Sequence, residues 1–271
     1  MSKIVKANGA EIPAVGLGTW TLRGKDCTRL VEQAVAAGYR HFDTAQMYDN
    51  ERAVGEGVRA SGKRSEIFVT SKVTPENLRA ADLERSTHES VQKLGFEPDL
   101  LLIHWPNRKI PLAETMGALN KVKRDGLTRH IGVSNFTVAL IEQAVKLSEA
   151  PLVCDQIECH PFLDQSKVRA ACKKHGIAVV AYSPIARGGA EGDKVLTKIG
   201  KAHGKSAAQV SLRYLVQLGM VVIPRTSKPE RLKENIDIFD FELTAGEMKE
   251  IDALAARRGR IVDWGYSPDW D

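Results

Sequence analysis

A chain of 271 residues with 43% hydrophobic and 27% charged residues holds enough apolar material for one large folded domain and too much for a disordered chain. Its net charge of +5 is spread without a Lys/Arg run or an aromatic-interleaved basic stripe, which argues against a nucleic-acid partner and leaves anionic small molecules. The first residues show no apolar leader core, no run approaches the ~18 apolar residues of a membrane span, and the four cysteines form no CxxC pair, so we expect a cytoplasmic protein with reduced cysteines, no membrane partner and no metal site.

The first predicted element is a hairpin, because Asn8-Gly9 separates two short runs at residues 3–6 and 11–12. Short apolar runs then recur at residues 14–17, 41–42, 67–69, 100–103, 130–133, 153–154, 177–181 and 220–223. Most are apolar on both faces, as buried parallel strands must be. Helical faces lie between them, such as Leu30, Val31, Ala34 and Val35, or Leu140, Ile141, Ala144 and Val145. Gly38, Gly95, Gly126, Gly176 and Gly219 fall where helices should end. Two helices, over 193–203 and 206–218, separate the seventh and eighth runs, and another spans 245–256 before a tail from Arg257 rich in Trp, Tyr, Pro and Asp.

Eight such repeats predict the α/β class and a closed (β/α)8 TIM barrel over residues 1–271, with the hairpin capping the barrel bottom and an extra C-terminal helix and tail. An open doubly wound sheet is the alternative, weakened because no GxGxxG follows the first strand.

In such a barrel the chemistry forms at the C-terminal ends of the strands. The second, third and fourth runs end in Asp43, Lys72 and His104, and Tyr48 lies just beyond Asp43. A tyrosine titrates near 10 in isolation, and a neighbouring ammonium should lower that value. Lys72 can supply the ammonium, Asp43 can offset its burial, and His104 can orient a carbonyl while the phenol donates a proton. Singly, each residue reads as readily as an ordinary strand-end or loop side chain; their convergence carries the reading. A metal-dependent hydrolase would need further His/Asp/Glu clusters.

The stretches Gly16-Leu17-Gly18-Thr19-Trp20, Asp43-Thr44-Ala45-Gln46-Met47-Tyr48, Ile103-His104-Trp105-Pro106, Gly132-Val133-Ser134-Asn135-Phe136, Ala181-Tyr182-Ser183-Pro184 and Ile223-Pro224-Arg225-Thr226-Ser227 resemble the aldo-keto reductase family. The resemblance runs from the hairpin to the tail. It implies Asp43, Tyr48, Lys72 and His104 as the catalytic set and NADPH as cofactor. It places Ser134, Asn135 and Gln156 at the nicotinamide carboxamide and stacks Tyr182 on the ring. Gly18, Thr19, Ser183 and Pro184 lie along the same groove. Arg225, Thr226, Ser227, Lys228 and Arg231 would grip the 2′-phosphate, with Arg231 also lying over the adenine and Glu234 and Asn235 beside it. Position 225 is Arg where many relatives have Lys, which keeps the charge and changes its geometry.

Trp20, Trp105 and Trp264 are expected to wall the substrate pocket. The compact length, the ending and the short loops after Trp105 and Ala186 are most similar to bacterial 2,5-diketo-D-gluconate reductases, a group that also reduces methylglyoxal. The shortness of the second loop predicts an open cofactor groove. The expected partner is a small carbonyl compound and the expected state a monomer; a nucleotide-sensing binding subunit is the alternative function.

Overall fold

The computed structural model describes residues 3–255 and 259–271. Asn8-Gly9 joins β1 (Ile4–Ala7) to β2 (Ala10–Pro13) as an antiparallel pair with Val5 opposite Ile12. Both turn residues have positive φ, 45° and 88°, as a two-residue I′ turn requires.

Eight parallel strands follow, hydrogen-bonded in chain order. They are β3 (Leu17–Gly18), β4 (His41–Asp43), β5 (Phe68–Val73), β6 (Leu100–Ile103), β7 (His130–Ser134), β8 (Leu152–Glu158), β9 (Ala178–Tyr182) and β10 (Val221–Val222). The ends of the sheet meet. Gly16 N–H donates to Val222 O at 2.8 Å, and Gly18 N–H donates to Pro224 O at 3.1 Å. A Cβ on Gly18 would stand 2.9 Å from Ile223 O, so this seam needs a residue without one. The result is the expected (β/α)8 barrel.

Helices α1 (Gly24–Ala36), α2 (Glu51–Ala60), α3 (Ala80–Leu94), α4 (Leu112–Arg124), α5 (Val138–Leu147) and α6 (Ser166–Lys174) each follow one strand. Their apolar stripes face the barrel, as with Cys27, Leu30, Val31, Ala34 and Val35 of α1. Gly95 ends α3 at φ 78°, and the other four glycines expected at helix ends also have positive φ. After β9 come α7 (Lys194–His203) and α8 (Ala207–Gln217); α9 (Pro229–Ile236) follows β10, and α10 (Ala245–Asp252) follows α9. No helix among the described residues is long and apolar enough to cross a membrane.

The hairpin closes the barrel floor. Ala7, Ala10 and Ile12 form one buried cluster with Leu100, Leu102, Val180 and Val221. Asn8 Nδ2 locks it there, donating to Leu152 O at the start of β8 at 2.7 Å and to His175 O at the end of α6 at 3.0 Å. Burying one such aliphatic side chain stabilises the fold by about 1.5–3 kcal/mol. One end of the barrel is thus sealed with apolar side chains, and polar groups collect at the other.

Two elements differ from the sequence reading. The apolar run at 153–154 is the first part of a seven-residue strand reaching Glu158. Asp155, Gln156 and Glu158 hide its second half from a hydropathy pattern, yet all three are buried. The last helix ends at Asp252 rather than 256. Ala256 and Arg257, where the helix should end and the tail begin, lie outside the described residues.

Candidate active site

Asp43 closes β4, and Lys72 lies one position from the end of β5, the strand beside it. Lys72 Nζ donates to Asp43 Oδ1 at 2.5 Å, to Thr44 O at 2.9 Å and to Tyr48 OH at 3.3 Å. All three ammonium hydrogens are therefore placed. Gln156 Nε2, from β8, donates to Asp43 Oδ2 at 2.7 Å. Both ions are buried. A buried pair is tolerable only when its remaining donors and acceptors are satisfied, and here they are.

Tyr48 ends a short 3-10 turn, Gln46–Tyr48, which stops at Asp49 in the left-handed region. Gln46 pins that turn to the barrel wall. Its Nε2 donates to Ser86 O and Ser90 Oγ of α3, and its Oε1 accepts from Thr74 N–H. His104, one residue past β6, meets the Tyr48 ring edge-to-face at 5.5 Å. The four residues expected to act together thus share one wall.

Their electrostatics correct one expectation. Burial lifts the Tyr48 phenol above its ordinary 10, and the Lys72 charge opposes that rise without reversing it. The phenol is not lowered; it is firmly protonated at neutral pH. Burial pulls the Lys72 ammonium down, but Asp43 and Tyr48 more than offset this and leave it above its usual range. Burial and then Lys72 hold the His104 imidazole well below 6.5, so it is neutral. His104 Nδ1 is buried without a hydrogen-bond partner among the described residues.

Opposite this wall stand Ser134 and Asn135 from the end of β7, Gln156, and Tyr182 from β9. Ser134 Oγ donates to Gln156 O at 2.7 Å, Asn135 Nδ2 to His104 O at 2.9 Å, and Tyr182 OH to Asn135 Oδ1 at 2.8 Å. Between the walls lies a cavity of about 190 Å³, reached past Trp20, Trp105 and Trp264. The three tryptophans expected at the pocket are all there.

A family model described as the aldo/keto reductase family matches residues 14–256. The chain belongs to the aldo/keto reductase family. It is 43% identical over 250 residues to a glyoxal reductase of Bacillus subtilis, covering 91% of this chain and 90% of that protein. It is 41% identical over 265 residues to the methylglyoxal reductase DkgB of Escherichia coli O157:H7, covering 96% and 99%. A solved structure provisionally assigned as a 2,5-diketo-D-gluconic acid reductase B superposes with a TM-score of 0.98 at 46% identity, covering 100% and 98%. Such relatives make this chain an oxidoreductase of carbonyl groups, in a family that generally uses NADP(H).

In this aldo/keto reductase the expected phosphate-binding residues gather where β10 meets α9. Arg225 Nε donates to Trp20 O at 3.1 Å, and its Nη2 donates to Thr21 Oγ1 at 2.6 Å. Thr226 Oγ1 accepts from Lys228 N–H at 3.0 Å, Ser227 Oγ accepts from Arg225 at 3.4 Å, and Pro229 opens the helix. Glu234 Oε1 accepts from Ser206 Oγ at 2.6 Å, and Asn235 is buried. Gly18 and Thr19 spend their hydrogen bonds on the fold: Thr19 N–H and Oγ1 both donate to Asp43 O. Ser183 has φ 50° and borders the cavity, and Pro184 O accepts from Ser211 Oγ.

The short segment after β9 meets α9 at the surface, where Glu191 pairs with Arg231 at 3.1 Å and both side chains stay partly exposed.

The sequence reading missed Met47, Arg187 and Val262, which border the cavity, and Glu158, which positions the tail. Glu158 accepts Ile261 N–H at 2.7 Å and Val262 N–H at 2.8 Å, and it meets His160 Nε2 at 2.9 Å. A carboxylate closing a buried strand was the one available signal for it. Nothing in the local pattern around the other three pointed to the cavity.

Proposed function

We propose that this aldo/keto reductase reduces small aldehydes and ketones with NADPH, with Tyr48 as the proton donor. The observation that carries the reading is Lys72 bonded at once to Asp43 and Tyr48, at the wall of a cavity whose other wall is neutral amide and hydroxyl groups.

The donor set fits a nicotinamide cofactor. Gln156 gives its Nε2 to Asp43, which leaves Oε1 as an uncommitted acceptor for a carboxamide N–H. Ser134 and Asn135 stand beside it, and Tyr182 offers its ring to the nicotinamide face. Arg225, Lys228 and Arg231, helped by Thr226 and Ser227, would hold the 2′-phosphate at the start of α9, whose positive dipole end also favours an anion. Glu234 and Asn235 would border the adenine, with Gly18, Thr19, Ser183 and Pro184 along the groove between. When bound, NADPH supplies the hydride that goes to the carbonyl carbon.

The chain's own residues handle the proton. The Tyr48 phenol keeps its proton at neutral pH and gives it to the carbonyl oxygen. The Lys72 ammonium stabilises the phenolate left behind, and Asp43 with Gln156 keeps that ammonium in place. His104, neutral and bordering the cavity, orients the carbonyl oxygen toward Tyr48. Substrates would be small ketoaldehydes such as methylglyoxal and keto-sugar acids such as 2,5-diketo-D-gluconate, handled by a monomeric cytoplasmic enzyme.

The test follows NADPH and NADH oxidation with these two substrates, for the wild type and for Arg231→Ala. Turnover that prefers NADPH is expected. Losing one charged contact should lower kcat/KM for NADPH by about tenfold and leave that for NADH unchanged. An unchanged ratio removes the phosphate assignment. No turnover across a carbonyl panel, despite NADPH binding, overturns the reading.

A further inference from the structure

The mouth of the cavity combines two features that the proton-transfer reading does not use. The first is its apolar rim. Trp20, Met47, Trp264 and Tyr266 are 45%, 44%, 47% and 45% exposed, and all four border this one cavity. Among the described residues only Ile4 and Leu147 are large hydrophobics of similar exposure, and neither borders the cavity. A concentration of exposed aromatic surface at one opening marks a place where an apolar body is taken out of water.

The second feature is a cation. Arg187 is the only Lys or Arg among the described residues bordering the cavity. Its guanidinium carbon lies 5.2 Å from the Trp20 ring centroid. Trp20 is held from the other side, because Arg225 Nε donates to its carbonyl oxygen. Ala186 and Arg187 are consecutive non-glycine residues with φ 48° and 50°. That conformation is costly for L side chains and persists where the surroundings over-determine it. Arg231 pairs with Glu191, whereas Arg187 makes no ion pair among the described residues. A planar guanidinium over an indole at 5.2 Å, with its N–H fork uncommitted among the described residues, is suited to a carboxylate.

We propose that Arg187 determines specificity, and that the preferred substrates are carbonyl compounds with a carboxylate at the far end of an apolar body. The proposal rests on the carbonyl-reductase reading above. Tyr48 takes the carbonyl oxygen, the aromatic rim takes the body, and Arg187 takes the anion. A sugar acid, polar along its whole length, uses the cation and wastes the rim. The same cation could meet an anion from a second source, the cofactor's diphosphate, so the test separates the two.

The probes are para-carboxybenzaldehyde and its methyl ester, which carry the aldehyde at the same place and differ in charge at the far end. For the wild type, KM should be lower for the acid than for the ester by about tenfold, the effect of one charge-assisted contact. In Arg187→Met this ratio should fall to near one, with kcat and the Kd for NADPH within about twofold of wild type. Arg187→Lys should restore part of the ratio. Binding of the product acid, para-(hydroxymethyl)benzoate, to the enzyme–NADP+ complex, read by tryptophan fluorescence, should weaken by about tenfold in Arg187→Met whether or not turnover occurs.

Equal rises in KM for acid and ester would overturn the proposal and leave Arg187 a packing residue. A weakened Kd for NADPH with the acid/ester ratio intact would also overturn it, assigning Arg187 to the diphosphate. Absence of turnover with either probe, while product-acid binding still depends on Arg187, would sink the reductase reading and leave the carboxylate site standing.

Discussion

Around Lys72 every ionised group is buried and matched: its ammonium meets Asp43, Thr44 and Tyr48, and Asp43 spends its other oxygen on Gln156. Around the start of α9, Arg225 and Lys228 are exposed, and Arg231 shares its charge with a half-exposed Glu191. The first arrangement cannot lose a member without stranding a charge in a low-dielectric wall. The second can lose any one cation and let water fill the place. A site that must hold a proton at one atom needs the first kind of order; a site that must admit and release a polyanion works with the second.

The comparison breaks most visibly at Lys72. Lys72→Met leaves Asp43 buried with no cation, and we expect a loss of about 3–5 kcal/mol in urea unfolding. Adding Asp43→Asn to it should recover part of that loss. A Lys72→Met protein as stable as the wild type would show that the pair is not buried as a matched unit.

A pH titration of stability probes the buried imidazoles, from the barrel floor to the cavity. His41, buried beside Thr70 and Pro13, has a folded value of about 4 against an ordinary 6.5, because burial penalises its charged form. Its folded value is depressed, so its contribution is intact above pH 6.5 and is lost as pH falls toward 4. Integrated over that window the loss is about 3 kcal/mol, and His104 adds to it with the same sign. Stability that stays flat from pH 7 to 4, a ~3-unit window, would contradict the burial of both imidazoles as neutral groups.

The α9 end should respond to salt instead. The Kd for NADPH should rise several-fold with ionic strength, while kcat at saturating cofactor stays level. The smallest effect is expected at Glu191. Glu191→Gln frees Arg231 and should tighten NADPH by no more than about threefold, as exposed ion pairs contribute little. A larger tightening would mean that the segment after β9 competes strongly with the cofactor.

Much of this was legible in the sequence, and the reasons are specific. The barrel showed because buried parallel strands are continuous apolar runs and because five glycines mark helix ends. That Asp43, Lys72 and His104 share one wall showed because each was read at the end of such a run. What did not show depends on long-range contact. The second half of β8 is polar in sequence and buried in space, since its side chains reach Asp43 and the tail across the barrel. Lys72 acts on the Tyr48 phenol in the expected direction but is outweighed by burial, because the sequence names the ammonium and says nothing of how deeply the hydroxyl is packed. Arg187 borders the cavity through two left-handed residues that no pattern forecasts.

The central claim is that a phenol, kept protonated by burial and served by a buried ammonium, supplies the proton. The most direct measurement is the kcat of Tyr48→Phe beside the wild type at saturating NADPH, with methylglyoxal as substrate and the Kd for NADPH as control. The account predicts a fall in kcat of about 10²–10⁴-fold with cofactor binding unchanged. Turnover within a few-fold of wild type would contradict it and move the proton donor elsewhere in the cavity.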